Sequence, residues 1–222
     1  MWSPCCRVRP YLLACCSLRA AAGCVGCWQH SLTHSLTHSL KLTITAIMSS
    51  AIESAEESGD ILALLVILNC HVADMDLCEE GLSSMYRILS SKTALDEREE
   101  TKTVTDTLVL CLRKHRNEAP VVEVALSCMV ECAKKSKDLQ TLLCIPDTIE
   151  LIIRVMCIHV DGEETVQEQG CLLIGALANN SADNVIILRS LHVEKVLDQA
   201  AGLITNERNK KYPREAKKAL GH

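Results

Sequence analysis

The chain has 222 residues, 48% hydrophobic and 23% charged, a composition that builds a globular core and does not suit a disordered chain. Aromatic residues make up 2% and Phe is absent, which argues against sandwiches and barrels, whose strands lean on aromatic and β-branched cross-strand pairs. The formal charge is −5. Four of the 23 basic residues (Arg7, Arg9, Arg19, Lys41) and none of the 28 acidic ones precede residue 48, which leaves −9 on residues 48–222 and disfavours a nucleic-acid ligand.

Residues 1–47 read differently from the rest. Six of the 14 Cys fall within the first 27 residues, and His30–Leu40 is a tandem four-residue repeat. A secretory signal would use Arg7, Arg9, the run Tyr11–Leu18 and Ala20–Ala22; an organelle transit peptide would use the basic, acid-free character. The reading adopted is an unstructured or non-native leader, with the working start at Met48. The longest apolar run, Ile61–Leu68, is eight residues, against the ~20 that span a bilayer. No membrane partner is expected.

From residue 60 the chain repeats. His71, His115 and His159 are each 44 apart, and each closes an apolar helical stretch: Ile61–Cys70, Val104–Arg113 and Ile149–Ile158. A second helix follows each turn, and within it Gly81, Ala125 and Gly170 correspond, as do Met85, Met129 and Ile174. A small residue in mid-helix admits a neighbouring helix, and the apolar residue four positions on shares its face. Short connecting helices are expected over Lys137–Ile145 and Ser181–Leu191, and a solvated segment over Asp96–Glu100. Pro120 suits a helical first turn and Pro146 divides a short helix from a long one. Asp161-Gly162 forms a turn, with Asp161 or Thr165 as the cap of the next helix. Tyr212–Leu220 reads as the opening of a fourth unit, ending either in a short cap or in a longer protein that has been cut. The units lie near 60–90, 103–134, 147–179 and 193–220. The eight Cys after residue 48 are scattered as small apolar core residues, which suits a reducing compartment.

The stretch Val166-Gln167-Glu168-Gln169-Gly170-Cys171-Leu172-Leu173-Ile174-Gly175-Ala176-Leu177-Ala178-Asn179, followed by Val193–Leu197, resembles an armadillo repeat, best over residues 121–178. HEAT repeats share the same two-layer packing and stay open as the subtype. The resemblance implies an all-α, right-handed α-α superhelix of about three to four repeats over residues 48–222.

Candidate chemistry is sparse. Successive units stand about 10 Å apart, while metal-bound nitrogens lie about 2 Å from zinc, so the histidines read as polar helix ends suited to the helix dipole. Cys128 and Cys132 share a face but lack further ligands. Asp74–Glu79 departs from a calcium loop at its fifth and sixth positions, and Ala176-Leu177 replaces the Lys-Ser/Thr of a phosphate loop after Gly170 and Gly175. No catalytic residues, metal or cofactor are expected, and the chain reads as a non-enzyme. The basic clusters Arg113–Arg116, Lys134–Lys137 and Lys210–Lys218 read as solvated helix ends.

In armadillo proteins the third helices line a concave groove that holds partner peptides. Importin-α-type receptors present a Trp and an Asn there, four residues apart. Those positions here are Ser83, Ser127 and Leu172, then Arg87, Glu131 and Ala176, which disfavours a basic nuclear-localisation peptide. An amphipathic helix or apolar segment of another protein suits these six residues better. The expected function is a non-catalytic, cytoplasmic or nuclear scaffold for another protein. The alternatives are a regulatory or targeting armadillo fragment of a larger multidomain enzyme such as a kinase, and a helical domain binding a small ligand.

Overall fold

The apolar stretches become helices near their expected positions in the computed structural model, which describes residues 32–91, 98–162, 164–179 and 181–221. The signal and transit readings rest on residues that lie mostly outside these. Eleven helices are described: α1 (Leu32–Ser58), α2 (Ile61–Cys70), α3 (Met75–Ser91), α4 (Arg98–Lys114), α5 (Ala119–Lys135), α6 (Lys137–Leu143), α7 (Pro146–Ile158), α8 (Glu164–Ala178), α9 (Ala182–Ser190), α10 (Val193–Leu203) and α11 (Lys211–Ala219). No strand occurs among the described residues.

Local chemistry sets the joints. α1 ends on Gly59, whose φ of +66° places it in the left-handed region, and the Asp60 amide reaches back to the Ala55 carbonyl at 2.8 Å while Gly59 N bonds Glu56 O at 3.0 Å. That crossed pair satisfies the orphan carbonyls of a helix end. Asp60 then caps α2 by accepting from Ala63 N at 3.0 Å. Ser136 and Ser181 cap α6 and α9, and Pro120 and Pro146 sit in the first turns of α5 and α7, where a missing N–H costs nothing.

Three expectations need correction. Leu32–Ile47, assigned to an unstructured leader, is helical, and the boundary expected between residues 47 and 48 lies inside α1; Leu recurring every fourth residue is close to the helical period. Arg98–Glu100, assigned to a solvated segment, opens α4. Thr165 does not cap α8 but lies within it, its hydroxyl donating to Glu123 Oε2 at 2.9 Å.

The helices pair as α2/α3, α4/α5, α7/α8 and α10/α11, and the pairs are laid side by side. α1, α3, α5, α8 and α11 touch in series as one row, and α2, α4, α7 and α10 as the other. α6 bridges α4, α5 and α8; α9 rests on α8 and α10. Each helix makes its substantial contacts within three places of itself in chain order, so the fold is repeat-like. One hydrophobic cluster runs through it from Met48 to Leu220. Six of the eight cysteines in the described residues are buried and all eight are free. Burial pushes the thiols of Cys132 and Cys171 up to about 12 and that of Cys144 up to about 11, so they behave as small apolar groups.

The 44-residue period recurs in the contacts themselves. A Cβ on Gly81 would lie 2.9 Å from Leu68 Cδ2, and one on Gly170 would lie 2.5 Å from Met156 Sδ. Leu68 and Met156 are separated by two periods, so the small residue receives the same side chain of its own hairpin partner in both units. Gln140 Nε2 donates to the Ala133 carbonyl at 2.8 Å, and Asn184 Nδ2 to the Leu177 carbonyl at 2.9 Å, each amide 44 residues from its counterpart. The histidines hold successive hairpins together. His115 Nε2 is 2.7 Å from the Val72 carbonyl and His159 Nε2 2.9 Å from the Arg116 carbonyl, both rings being buried. They stand at helix ends, as expected from position, and Nε2–H of each of these two rings adds a hydrogen bond to the preceding unit.

Candidate interaction surface

α3, α5 and α8 bury most of their circumference and leave one open stripe each. On α3 the stripe runs through Glu79, Ser83, Arg87 and Ser90; on α5 through Glu123, Ser127, Glu131 and Lys134; on α8 through Thr165, Gln169, Leu172 and Ala176. The three- and four-residue steps are those of one helix face. These helices touch in series, and Thr165 of the α8 stripe donates to Glu123 of the α5 stripe. All six residues named from the sequence (Ser83, Arg87, Ser127, Glu131, Leu172 and Ala176) are exposed or half-buried positions of helices in one row.

Their surroundings differ. Arg87 forks onto Glu56 of α1, with Nη2 2.6 Å from Oε2 and Nε on Oε1, and Ser84 Oγ donates to the same carboxylate at 2.7 Å. The hydrogen bonds from Arg87 and Ser84 hold the Glu56 carboxyl down at about 2, and the same pair raises Arg87 further. Glu131 accepts from Lys134 at 2.9 Å, one turn on. Ser127 Oγ donates to the Glu123 carbonyl of its own helix at 2.9 Å, a neutral hydroxyl between the carboxyls of Glu123 and Glu131. Leu172 and Ala176 are half-buried and pack against the core. Beside them Gly175 lies against the backbone of α11, its Cβ position 3.4 Å from Ala216 Cα. The apolar end of this surface, at Leu172 and Ala176, is thus partly covered by the chain itself.

Sequence reasoning missed the neighbours that complete this surface. α1 adds a further helix to the row and supplies Glu56. The signal available was the acidic pattern Glu53, Glu56, Glu57, which begins as soon as the basic leader ends. Along the other edge, Glu80 accepts from Ser49 at 2.7 Å and Glu123 from Thr165 at 2.9 Å, each bonding one helix of the row to another, and Glu168 accepts from Asn209 of the turn before α11 at 2.5 Å. Their return at steps of 43 and 45 residues, from Glu80 to Glu123 to Glu168, was legible but unused.

Among the described residues no three His, Cys, Asp or Glu side chains are placed to hold one metal ion, and no helix is long and apolar enough to cross a membrane. Comparison with protein-family models, with curated proteins and with solved structures gives no match.

Proposed function

We propose that the chain is an armadillo-type α-solenoid that acts as a non-catalytic scaffold, holding a segment of another protein along the open stripes of α3, α5 and α8. One observation carries this reading. Three consecutive helices of one row leave open side chains at steps of 44 and 45 residues (Ser83, Ser127, Leu172; then Arg87, Glu131, Ala176) while everything behind them is buried. Stacked helical units that bury a shared core leave such an extended inner surface, and surfaces of this kind hold extended chains or helices. The neutral line of Ser83, Ser127 and Leu172, with Arg87 held on Glu56 and Glu131 on Lys134 beside it, suits an amphipathic helix better than a run of lysines.

The test adds bulk and charge where the fold does not depend on the side chain. A Ser83→Glu, Ser127→Glu variant is compared with the unaltered protein in affinity capture, with helicity and melting temperature measured on both. Both hydroxyls are half-exposed and neither bridges helices, so the melt is expected to stay within about 0.5 kcal/mol. The captured partner is expected to be lost. A partner retained by the folded variant would place binding elsewhere and end this reading.

A further inference from the structure

The row of helices begins with α1, which packs on α2 and α3, and closes with α11, which packs on α8 and α10, so each leaves one long side exposed. α11 buries Pro213 and Ala216 and sets Ala216 against Gly175 of α8. On its other side Lys211, Arg214 and Lys218 are all exposed, at the three- and four-residue steps of one helix face. These cations are not engaged within the fold. Lys210 pairs with Glu207 at 2.6 Å and Lys217 with Asp198 of α10. Lys211, by contrast, lies over the Tyr212 ring at 5.5 Å, and Arg214 Nε reaches only the Lys210 carbonyl, at 3.4 Å. Among the described residues no carboxylate pairs with Lys211, Arg214 or Lys218.

α1 has the complementary character. Met48, Ile52 and Ala55 face the core and Glu56 is taken by Arg87. Its exposed side carries Ser50, Ser54 and Ser58 at four-residue steps, beside Glu53 and Glu57. Both carboxylates are exposed and form no ion pair among the described residues, and no basic residue occurs from Met48 to Ser58. A line of serines keeps the helix surface low, so that the long stems of Lys and Arg can lie across it and reach carboxylates on its flank. The chain as a whole shows the same asymmetry. Residues 205–222 hold six basic and two acidic residues, +4, within a 48–222 span that sums to −9, which leaves −13 on residues 48–204.

We infer that the exposed sides of α11 and α1 dock on each other between copies of this chain, head to tail, with Lys211, Arg214 and Lys218 of one copy facing Glu53 and Glu57 of the next. Two features favour a second copy over an extended polyanion such as a nucleic acid or an anionic membrane. The body beside α11 carries the −13, which repels any polyanion larger than the helix itself. The exposed side of α11 also offers no apolar group to enter a bilayer.

The acidic side of α1 matches α11 in extent, two carboxylates one turn apart against three cations spread over two turns. Within the chain, the Glu56–Arg87 fork already joins α1 to its neighbour in the row by the same pairing of charges. Because the two docking sides differ, every copy presents one of each, and the contact is heterologous. It uses neither Ser83 nor Ser127, and so stands independently of the partner surface on α3, α5 and α8.

Sedimentation of the full chain under reducing conditions, which exclude cysteine cross-links, reads the contact. In about 20 mM salt the weight-average mass is expected to rise above that of one chain between about 10 μM and about 1 mM protein, and to return to one chain in about 0.5 M salt, where exposed charges are screened. A Lys211→Glu, Arg214→Glu, Lys218→Glu variant reverses one side and a Glu53→Lys, Glu57→Lys variant the other. All five side chains are exposed, so both variants are expected to keep their helicity and melting temperature. Each alone should remain a single chain in low salt, since its two docking sides then repel. Mixed in equal amounts they should associate again, because the reversed side of each matches the other variant. Unaltered protein that stays a single chain at about 1 mM in low salt, association that survives either reversal, or a mixture of the folded variants that stays apart overturns the contact.

Discussion

At the scale of single residues, space around the backbone decides more than residue type. Gly170 and Gly202 both lie within helices, yet a methyl group on Gly170 would meet buried Met156 at 2.5 Å, while one on Gly202 meets nothing within 4 Å. Alanine is the better helix former at both positions by up to about 1 kcal/mol. Overpacking wins at the first: Gly170→Ala should destabilise by roughly 1–3 kcal/mol, since Met156 must leave its place in a filled core. Gly202→Ala should stabilise by about 0.5–1 kcal/mol. Paired melts of the two variants check this, and equal signs would show that the hairpin contact has been misassigned. The histidines make a related point. Their 44-residue spacing was visible in the chain, but the carbonyl that each ring meets belongs to the preceding hairpin, and no local pattern names it.

At the scale of elements, α1 is the instructive case. Its second half carries Met48, Ile52 and Ala55 into the core and offers Glu56 to α3. Taken alone, the stretch looked like the tail of a leader, because its first half is Cys- and acid-free repeat sequence. The fork between Glu56 and Arg87 ties α1 to the row, and its pH dependence follows from the depressed carboxyl. With its folded value held at about 2 and an ordinary value of 4.5, the stabilisation is complete above 4.5 and is lost as pH falls through about 2. Glu56→Gln should lower the melting temperature at and above about pH 4.5, by an amount kept modest because both side chains are partly solvated, and converge with the unaltered protein as pH falls toward about 2. An acid limb identical in the variant would remove Glu56 from the account. The same fork makes Arg87, named from the sequence as a groove residue, a structural neighbour of α1.

At the scale of the molecule, the order of contacts is the property that matters. Each hairpin leans on its neighbours in chain order, so stability should be a sum of units and interfaces, in contrast to the all-or-none core of a closed bundle. A chain lacking residues 205–222 should keep its remaining helicity and the exchange protection of α2 to α5, and lose protection in α8, which α11 covers. Loss of protection throughout α2 to α5 would mean that the ends depend on each other and would end the solenoid reading.

The sequence by itself determined that the chain is helical, where most helices begin and end, that the units recur at 44 residues, and that Gly81 and Gly170 are contact points. These follow from periodicity and from the size of single side chains, which act over one or two turns of backbone. Tertiary structure decided which groups along those helices are free and which are engaged: Arg87 by Glu56, the histidines by carbonyls of the preceding hairpin, Glu164 and Glu168 by the turn before α11. Those partners are 31 to 43 residues apart. Whether they meet depends on the offset between one hairpin and the next, which the packing of buried side chains sets and no stretch of sequence a few turns long contains.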